Sequence, residues 1–369
     1  MNHPIVRICW ITALLLTPAA YAETKIVFDS PLERQVCQRN AQEWAAVKVA
    51  GAVPADATLV EARAELEAGL RGKATEWTVV AQGEQINNGK FSGSLKLATG
   101  GWYSLKVRFR KSTDDQTALG EVAVGPVGVG DVFITAGQSN SVNFGNPRQK
   151  SNESLSVYFD GKQFTQAADP IPDAIGEGGT PWPILGDLLS RTTRAPVCFR
   201  SATLNCLRVH QWLPADDSGN IERLVERAKW FGPAGIRAVL WVQGEADTDD
   251  PGKPSTSAAD YERDARAMIE FSRQQLGGPV DWFVAGNSYI KGNKDYQQSI
   301  AGILAAQKAL WDKGVAHRGP DTNDLIGNAD YRHDDLHFGP RGLLVHAERW
   351  YAALSAHYQW ANPVSSKSN

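Results

Sequence analysis

Residues 131–140 read DVFITAGQSN, and this stretch decides the expected fold of the second part of the chain. Its apolar run VFI at 132–134 is typical of a buried strand, and GQSN at 137–140 follows as a tight turn. A serine on a turn between a strand and a helix is held clear of the sheet, as a nucleophile must be. The start of the helix offers backbone N–H groups to a developing anion. Ser139 could equally be the N-cap of that helix.

Beyond this turn, short apolar runs alternate with helical stretches. The predicted strands cover 132–134, 196–199, 238–242 and 280–285. The predicted helices cover 184–190, 221–230, 261–276, 299–313 and 342–358. Regular alternation of this kind is typical of a doubly wound, mostly parallel sheet, so we predict a three-layer α/β domain over 129–361. Sites in such folds lie at the carboxyl ends of the strands.

Residues 23–128 are instead typical of an all-β module. LKVRFR at 105–110 alternates apolar and charged residues, which is the period-2 pattern of a half-buried strand. Further strand-like runs cover 46–49, 77–80 and 91–97. Residues 111–117 resemble a hairpin loop, and 61–70, rich in Ala, Glu and Leu, could form a helix instead of a strand. We predict a small β-sandwich before the α/β domain.

Both ends of the chain are expected to lie outside the fold. Residues 1–22 combine Arg7, a short apolar run and the small-x-small sequence Ala20-Tyr21-Ala22, as a cleaved secretory signal does. The run is shorter than the roughly 20 apolar residues of a membrane span, and no later segment predicts one. We therefore predict export to the periplasm or the cell exterior after cleavage near Ala22. A flexible tail is predicted over 362–369.

The composition excludes several classes of protein. The 369 residues carry 38 Lys and Arg against 41 Asp and Glu, for a net charge of −3, and 42% are hydrophobic. This apolar content predicts a globular core and argues against intrinsic disorder. Without a net positive field, nucleic-acid binding is not expected.

Three cysteines remain once the signal is removed: Cys37, Cys198 and Cys206. An odd number allows at most one intramolecular disulfide. Sequence separation favours Cys198 with Cys206, and three buried thiols are the alternative. No Cys-x-x-Cys motif and no His/Cys cluster suggests a metal site.

Two more polar segments follow apolar runs. WVQGEAD at 241–247 offers the Gln243 amide, a neutral donor that could face an oxyanion, although the segment could also be an ordinary polar loop. HDDLHFG at 333–339 places an Asp and a His three residues apart, so that the carboxylate can fix the imidazole tautomer. Two acids and two histidines could also suit a metal, but no third segment offers ligands. Ser, Asp and His in chain order form a complete hydrolytic set.

Together, the blocks DVFITAGQSN, WVQGE and DDLH resemble those of the SGNH (GDSL-like) hydrolases, in the branch of sialate O-acetylesterases and carbohydrate acetylesterases. The resemblance spans 129–358 and implies a flavodoxin-like, doubly wound fold. It also implies an esterase that removes O-acetyl groups from a carbohydrate through an acetyl-serine intermediate. Neither a cofactor nor a metal is implied.

The same resemblance assigns roles to residues. Ser139 would be the nucleophile, His337 the general base and then acid, and Asp334 the residue that orients His337. The oxyanion hole would be formed by the Ser139 backbone N–H, the Gln243 side chain and the backbone N–H of Asn205.

The chain departs from the family pattern in two places. Relatives usually carry a Gly-Gly-Thr-Ser-like turn shortly before a Trp, whereas this chain has Asn205-Cys206 ahead of Trp212. Asn tolerates a left-handed backbone better than other non-glycine residues, so Asn205 could keep the turn. Asp335 stands where glycine is common and competes with Asp334 for the orienting role.

Substrate contacts are less well defined by the sequence. The candidates are Gln138, Asn140, Glu245, Arg208, His210 and Trp212. Trp182 could stack on a sugar face or be buried in the core. The expected partner is an acetylated carbohydrate, and no protein partner is implied. The alternative function, prompted by the missing glycines, is a non-catalytic glycan-binding protein that retains the hydrolase fold.

Overall fold

The computed structural model describes most of the chain after residue 25. The described residues are 26–115, 117–203, 206–214, 216–248, 254–291 and 297–360. The predicted signal at 1–22 and the predicted tail at 362–369 therefore lie outside them. In these ranges, no helix is both long enough and apolar enough to cross a membrane.

The first part of the chain is built from strands. In order they are β1 (Phe28–Ser30), β2 (Gln35–Gln38), β3 (Trp44–Ala52), β4 (Leu59–Leu66), β5 (Thr78–Gln82), β6 (Ile86–Asn87), β7 (Lys90–Ala98), β8 (Gly100–Arg110) and β9 (Gly120–Gly137). One sheet has the order β1-β3-β7-β6, and β5, β4, β8, β9 and β2 belong to a second sheet. Buried apolar side chains of both sheets form one cluster, which includes Val47, Leu95 and Leu105.

The alternation of apolar and charged residues over 105–110 forms a half-buried strand, as predicted. Leu105, Val107 and Phe109 of β8 are fully buried, and Lys106 and Arg108 between them are partly exposed. The helix considered over 61–70 is wrong, since β4 pairs antiparallel with β8 along its whole length. Cross-strand pairing and burial of alternate side chains override the helix propensity of Ala, Glu and Leu.

Strand β9 joins the two parts of the molecule. Its first half pairs with β8 and β2, and its second half pairs in parallel with strands of the α/β part. The strand runs without interruption through 128–129, where the sequence suggested a domain boundary. The turn that carries Ser139 therefore ends a strand that is anchored in both parts.

The second part of the chain alternates strands and helices. The strands are β10 (Ser156–Phe159), β11 (Phe164–Gln166), β12 (Val197–Ser201), β13 (Ala238–Val242), β14 (Asp281–Gly286) and β15 (His317–Asp321). The helices are α1 (Trp182–Thr193), α2 (Asn220–Lys229), α3 (Glu245–Thr248), α4 (Ala258–Leu276), α5 (Gln297–Asp312) and α6 (Pro340–Tyr358). The sheet order is β11-β10-β12-β9-β13-β14-β15, and all of these strands except β11 are parallel.

Helices cover both faces of this sheet. In β9, Ile134 packs in the cluster that includes residues of α2, α4 and α5, while its neighbour Phe133 packs with α1 and α6. In β13, Trp241 likewise packs in the first of these clusters and Leu240 in the second. Strands buried on both faces explain why the predicted runs were continuously apolar. The doubly wound α/β arrangement of the prediction is therefore observed.

The three cysteines of the described residues do not pair with one another. Cys198 is fully buried in β12, whereas Cys206 is exposed beyond the end of that strand, and both are free thiols, as is Cys37. The expected Cys198–Cys206 disulfide is wrong, because the strand turns the Cys198 side chain into the core. The alternative of three buried thiols also fails, at Cys206.

A buried ion pair stands where β9 enters the α/β part. Asp131 is 1% exposed and accepts hydrogen bonds from Arg39 at 2.7 and 3.0 Å and from Arg237 at 2.7 Å. Burial alone would raise the pKa of Asp131, but the two guanidinium groups hold it below its ordinary value. Removing one partner of such a pair leaves buried charge without compensation.

We expect Asp131→Asn to lower the free energy of unfolding at pH 7 by about 3–5 kcal/mol, measured by urea denaturation. Because the folded-state pKa of Asp131 is depressed, its contribution exists above about pH 4 and is lost as the pH falls further. The difference between wild type and variant should therefore shrink in acid. The control is Asp29→Asn at the exposed pair with Lys90, where a change above about 1 kcal/mol is not expected. Equal losses for both variants would contradict this account.

Candidate active site

The site predicted from the sequence lies at the carboxyl edge of the parallel strands. Ser139 comes two residues after the end of β9, and Gln243 follows β13 directly. The segment 333–337 lies in the loop between β15 and α6. Since β9, β13 and β15 all run in the same direction, the three segments emerge at the same edge of the sheet.

The segment at Ser139 is a short turn and not the start of a helix. Ser139–Ser141 forms a single 3₁₀ turn with Gln138 at its N-cap, and Val142 is already extended. No α-helix begins here, so the expected helix start behind Ser139 is wrong. Ser139 lies within the turn and is not its N-cap, so the capping alternative is wrong as well.

Gly137 allows the sharp turn. Its φ is +132°, a conformation that L side chains rarely adopt, and a Cβ atom there would lie 2.0 Å from the carbonyl oxygen of Val242 in β13. The neighbouring strand thus approaches too closely for any side chain. This approach positions Gln138 and Ser139 beside the end of β13, where the Gln138 N–H donates to Val242 at 2.9 Å.

We expect Gly137→Ala to lower the free energy of unfolding by at least about 2 kcal/mol, through backbone strain and a backbone clash. The matched control is Gly302→Ala in α5, where an added Cβ meets nothing within 4 Å. That variant should gain about 0.5–1 kcal/mol, because alanine favours helix more than glycine does. Thermal or urea unfolding measures both, and two changes of the same sign would contradict the assignment of strain to Gly137.

The His337 imidazole is held by Asp334. Nδ1 of His337 lies 2.7 Å from Oδ2 of Asp334, and Oδ1 of Asp334 accepts the backbone N–H groups of Leu336 at 3.0 Å and His337 at 2.7 Å. Partial burial would raise the pKa of Asp334, but these N–H groups and the imidazole lower it to about 2. Asp335 is exposed with a φ of +66°. Of the two acids, Asp334 is therefore the one that contacts His337.

Asn140 links the three segments. Its Nδ2 donates to Oε1 of Glu245 at 2.6 Å and to the carbonyl oxygen of Leu336 at 3.3 Å. Gln138 adds a second link, because its Oε1 accepts the backbone N–H groups of Gly244 and Ala246. Among the substrate candidates, Gln138, Asn140 and Glu245 are thus nearly fully buried and hold the site together.

Ser139 and His337 each keep a polar atom uncommitted. Ser139 is 1% exposed, and within the described part of the chain its Oγ has no hydrogen-bond partner. Nε2 of His337, the nitrogen opposite Asp334, is likewise buried and without a partner there. The imidazole stacks on Phe144, with ring centroids 5.2 Å apart. A hydroxyl and an unpaired imidazole nitrogen are thus buried on neighbouring segments.

The Gln243 side chain is hydrogen-bonded within the protein. It is fully buried, and its two amide hydrogens are directed at Oδ2 of Asp247 at 2.5 Å and the carbonyl oxygen of Leu207 at 3.0 Å. Its Oε1 accepts the Tyr261 hydroxyl at 3.0 Å. Both amide hydrogens of Gln243 thus have acceptors among the described residues, and its role as an oxyanion donor stays a prediction. Through the hydrogen bond to Leu207, the side chain connects the loop after β12 to the end of β13.

The tryptophans proposed for sugar contact are core residues. Trp212 is fully buried and packs edge-on against Trp241 at 4.9 Å between ring centroids. Trp182 is also fully buried, and its Nε1 donates to the carbonyl oxygen of Ser141 at 2.8 Å, which supports the serine turn from behind. The expectation that the Trp212 ring contacts substrate is wrong, and of the two alternatives for Trp182 the structure shows burial in the core.

The remaining predicted residues lie on the loop after β12. His210 is exposed, and Arg208 is 8% exposed and donates to the carbonyl oxygen of Pro254 at 2.8 Å. Asn205 falls outside the described residues, so its place in the oxyanion hole stays a prediction. Cys206, beside it, is exposed.

Sequence reasoning missed Arg332. It is buried and donates to the carbonyl oxygens of Thr322, Leu325 and Leu336, so it braces the loop that carries His337. Burial lowers its pKa to about 10. Arg332 directly precedes the HDDLH block, but nothing in the sequence distinguishes a buried arginine from an exposed one.

The histidine loop was also considered for a metal. Ligand atoms of His333, Asp334 and His337 lie within 4.8 Å of one another. However, the 2.7 Å contact between Asp334 and His337 is shorter than the separation of about 3.3 Å that bonds of 2.0–2.1 Å impose around a tetrahedral zinc ion. Nε2 of His333 lies 3.0 Å from the Phe144 carbonyl oxygen. This geometry suits a hydrogen-bonded pair better than a ligand set.

Six parallel strands between two helix layers, with polar side chains at the carboxyl edge, define a doubly wound α/β fold. A family model described as carbohydrate esterase, sialic acid-specific acetylesterase, matches residues 129–338. The chain therefore belongs to this family of carbohydrate esterases.

A solved carbohydrate acetylesterase shows the same fold. The chain is similar to a carbohydrate acetylesterase from Xanthomonas citri, with 17% identity and a TM-score of 0.55 over 89% of this chain and 74% of that one. A protein from Arabidopsis thaliana has 18% identity and a TM-score of 0.47 over 61% and 98% of the two chains. A carbohydrate esterase family 2 enzyme with a carbohydrate-binding domain from Corynascus thermopiles has 13% identity and a TM-score of 0.41 over 91% and 100%. No curated protein sequence matches significantly.

Proposed function

We propose that this chain is an exported serine esterase that removes O-acetyl groups from a carbohydrate through an acetyl-serine intermediate. The observation that carries the proposal is the pairing of Asp334 with Nδ1 of His337 next to the buried Ser139 turn. Among the described residues, Nε2 of His337 and Oγ of Ser139 have no hydrogen-bond partner. Membership of a carbohydrate esterase family supports the substrate class.

In the proposed reaction, Oγ of Ser139 attacks the acetyl carbonyl carbon while Nε2 of His337 takes its proton. The tetrahedral intermediate collapses, the sugar hydroxyl leaves with the proton from His337, and acetyl-serine remains. Water then attacks this ester with His337 again as the base, and acetate leaves. Asp334 keeps the imidazole in the required tautomer throughout and stabilises the imidazolium.

The proposed oxyanion donors are the Ser139 backbone N–H, the Asn205 backbone N–H and the Gln243 side chain, whose amide hydrogens would have to leave Leu207 or Asp247. Among the described residues, no acceptor is bonded to the Ser139 backbone N–H, which supports its role as one donor. The Asn205 backbone N–H is proposed as the second donor, in keeping with the family resemblance of that loop. Loss of one such donor typically lowers the rate by roughly 100- to 1,000-fold.

The proposed preference for acetyl groups is tested with a series of esters of one alcohol. Ser139 is 1% exposed, and we propose that the small space at its hydroxyl admits an acetyl group more readily than a longer acyl chain. We expect kcat/KM to fall by about 10–100-fold from the acetyl to the butyryl ester. Acetate release from an acetylated polysaccharide should accompany the activity on small esters. Rates that rise with chain length would indicate a lipid esterase.

Export and the division into parts are proposed from the sequence. A mature chain that begins near Glu23 would fold residues 23–128 as the β-sandwich module and 129–361 as the hydrolase. Because β9 runs through both parts, we propose that the β module supports the strand that presents Ser139. N-terminal sequencing of the exported protein tests the cleavage site.

A further inference from the structure

Two histidines and an aspartate meet at the edge of the sheet opposite Ser139. Asp281 begins β14, His317 begins β15, and His357 lies in the last turn of α6. The strands are parallel, so their amino ends lie far from the carboxyl edge that carries the candidate active site. The proposed ester hydrolysis uses none of these side chains.

The three side chains converge on a small volume. Nε2 of His317 lies 3.2 Å from Oδ1 of Asp281, and Nε2 of His357 lies 3.5 Å from Oδ2. Zinc bonds of 2.0–2.1 Å in tetrahedral geometry separate two ligand atoms by about 3.3 Å, and the two distances lie on either side of that value. Each histidine is near a different oxygen of Asp281. The carboxylate would therefore bind the ion through both oxygens, or rotate slightly to bind it through one.

The surroundings support metal ligation. The Tyr358 hydroxyl donates to Oδ2 of Asp281 at 2.8 Å, a contact that orients the carboxylate as partners of metal ligands commonly do. The two imidazole rings are 3.9 Å apart between centroids, which is unfavourable if both are protonated.

We propose that Asp281, His317 and His357 bind one divalent transition-metal ion of the zinc type. A cavity of about 490 Å³ opens beside the two histidines. Its walls include Gly319, Ala352, Ala353 and Ala356, whose small side chains leave space for a water molecule in the remaining coordination position. The ion would join β14, β15 and the end of α6.

The charge around the cluster defines the class of metal. Asp281 is its one carboxylate, and the Arg273 guanidinium interacts with that charge. Arg318 also lines the cavity, with its guanidinium 5.3 Å from the Trp311 ring. Hard cations such as Ca²⁺ require several oxygen ligands and negative charge, so they are not expected here. Imidazole nitrogens favour Zn²⁺, Cu²⁺ and Ni²⁺ instead.

The test is a calorimetric titration of Zn²⁺ into the full chain after treatment with a chelator. We expect one Zn²⁺ per chain and a higher Tm with Zn²⁺, and neither effect with Ca²⁺. His317→Gln and His357→Gln should each weaken Zn²⁺ binding at least tenfold and remove the Tm shift. Unchanged melting of both variants in EDTA shows that they fold.

The matched control is His333→Gln, which disrupts the other cluster of potential ligands. It should leave the Zn²⁺ stoichiometry and the Tm shift unchanged. Absence of Zn²⁺ binding to the wild type, or binding that survives both His317→Gln and His357→Gln, would overturn the proposal. Loss of binding in His333→Gln alone would move the metal to the catalytic loop and overturn it too. None of these readouts depends on esterase activity.

Discussion

Replacing Ser139 by alanine is expected to lower the rate of acetate release by roughly 10⁵-fold or more. The alanine side chain offers no oxygen to the acetyl carbonyl, and His337 cannot substitute for it because its proposed role is proton transfer. Acetate release from a small acetyl ester and from an acetylated polysaccharide measures the effect. The free energy of unfolding should stay the same or rise slightly, since Oγ of Ser139 is buried without a partner among the described residues.

Ser141→Ala is the matched control, because it removes a second buried hydroxyl from the same turn. Oγ of Ser141 donates to the Gln138 carbonyl oxygen at 2.7 Å and lies 2.7 Å from the Thr203 hydroxyl. This variant should lose about 1–2 kcal/mol of stability while it keeps most of its activity. Comparison of the two variants thus separates an effect on catalysis from an effect on stability. Equal activity losses would mean that Ser139 acts only through the shape of the turn.

Asp334→Asn is expected to lower kcat by roughly 10⁴-fold. The asparagine oxygen can still accept the backbone N–H groups of Leu336 and His337, so the loop should keep its shape. Its amide can donate to Nδ1 of His337, however, which favours the tautomer with the proton on Nε2 and prevents that nitrogen from acting as a base. The pH–rate profile and kcat of the variant measure this effect.

Asp335→Gly tests the choice between the two acids. The φ of +66° at Asp335 is easily adopted by glycine, so this variant should keep kcat within about threefold and be as stable as the wild type or more so. A loss of activity as large as that of Asp334→Asn would transfer the orienting role to Asp335.

Much of the α/β fold could be predicted because its strands are buried on both faces. The run at 238–242 coincides with β13, and the helix predicted over 261–276 lies within α4. Strand β15 was missed because its sequence, HRGPD, is polar and contains glycine and proline. Its extended form depends on pairing with β14, which the local sequence does not reveal.

The candidate site, like the fold, contains features that the local sequence predicts and features that depend on contacts between distant segments. Asp334 and His337 could be paired from the sequence because they are three residues apart in one loop. The contacts of Gln243 could not be predicted, since its amide hydrogens are directed at Leu207 and Asp247, which only the folded chain brings near. Burial of Trp212 likewise follows from packing against β13 rather than from local pattern.

The most direct test of the account is to trap the covalent intermediate. The purified chain is mixed with an activated acetyl ester, quenched in acid within milliseconds, digested and examined by mass spectrometry. The account predicts one acetyl group on the peptide that contains Ser139 in the wild type and none in Ser139→Ala. An unmodified Ser139 in a chain that releases acetate, or acetate release that persists in Ser139→Ala, would contradict the serine mechanism. If no acetate is released at all, the glycan-binding alternative becomes the better account.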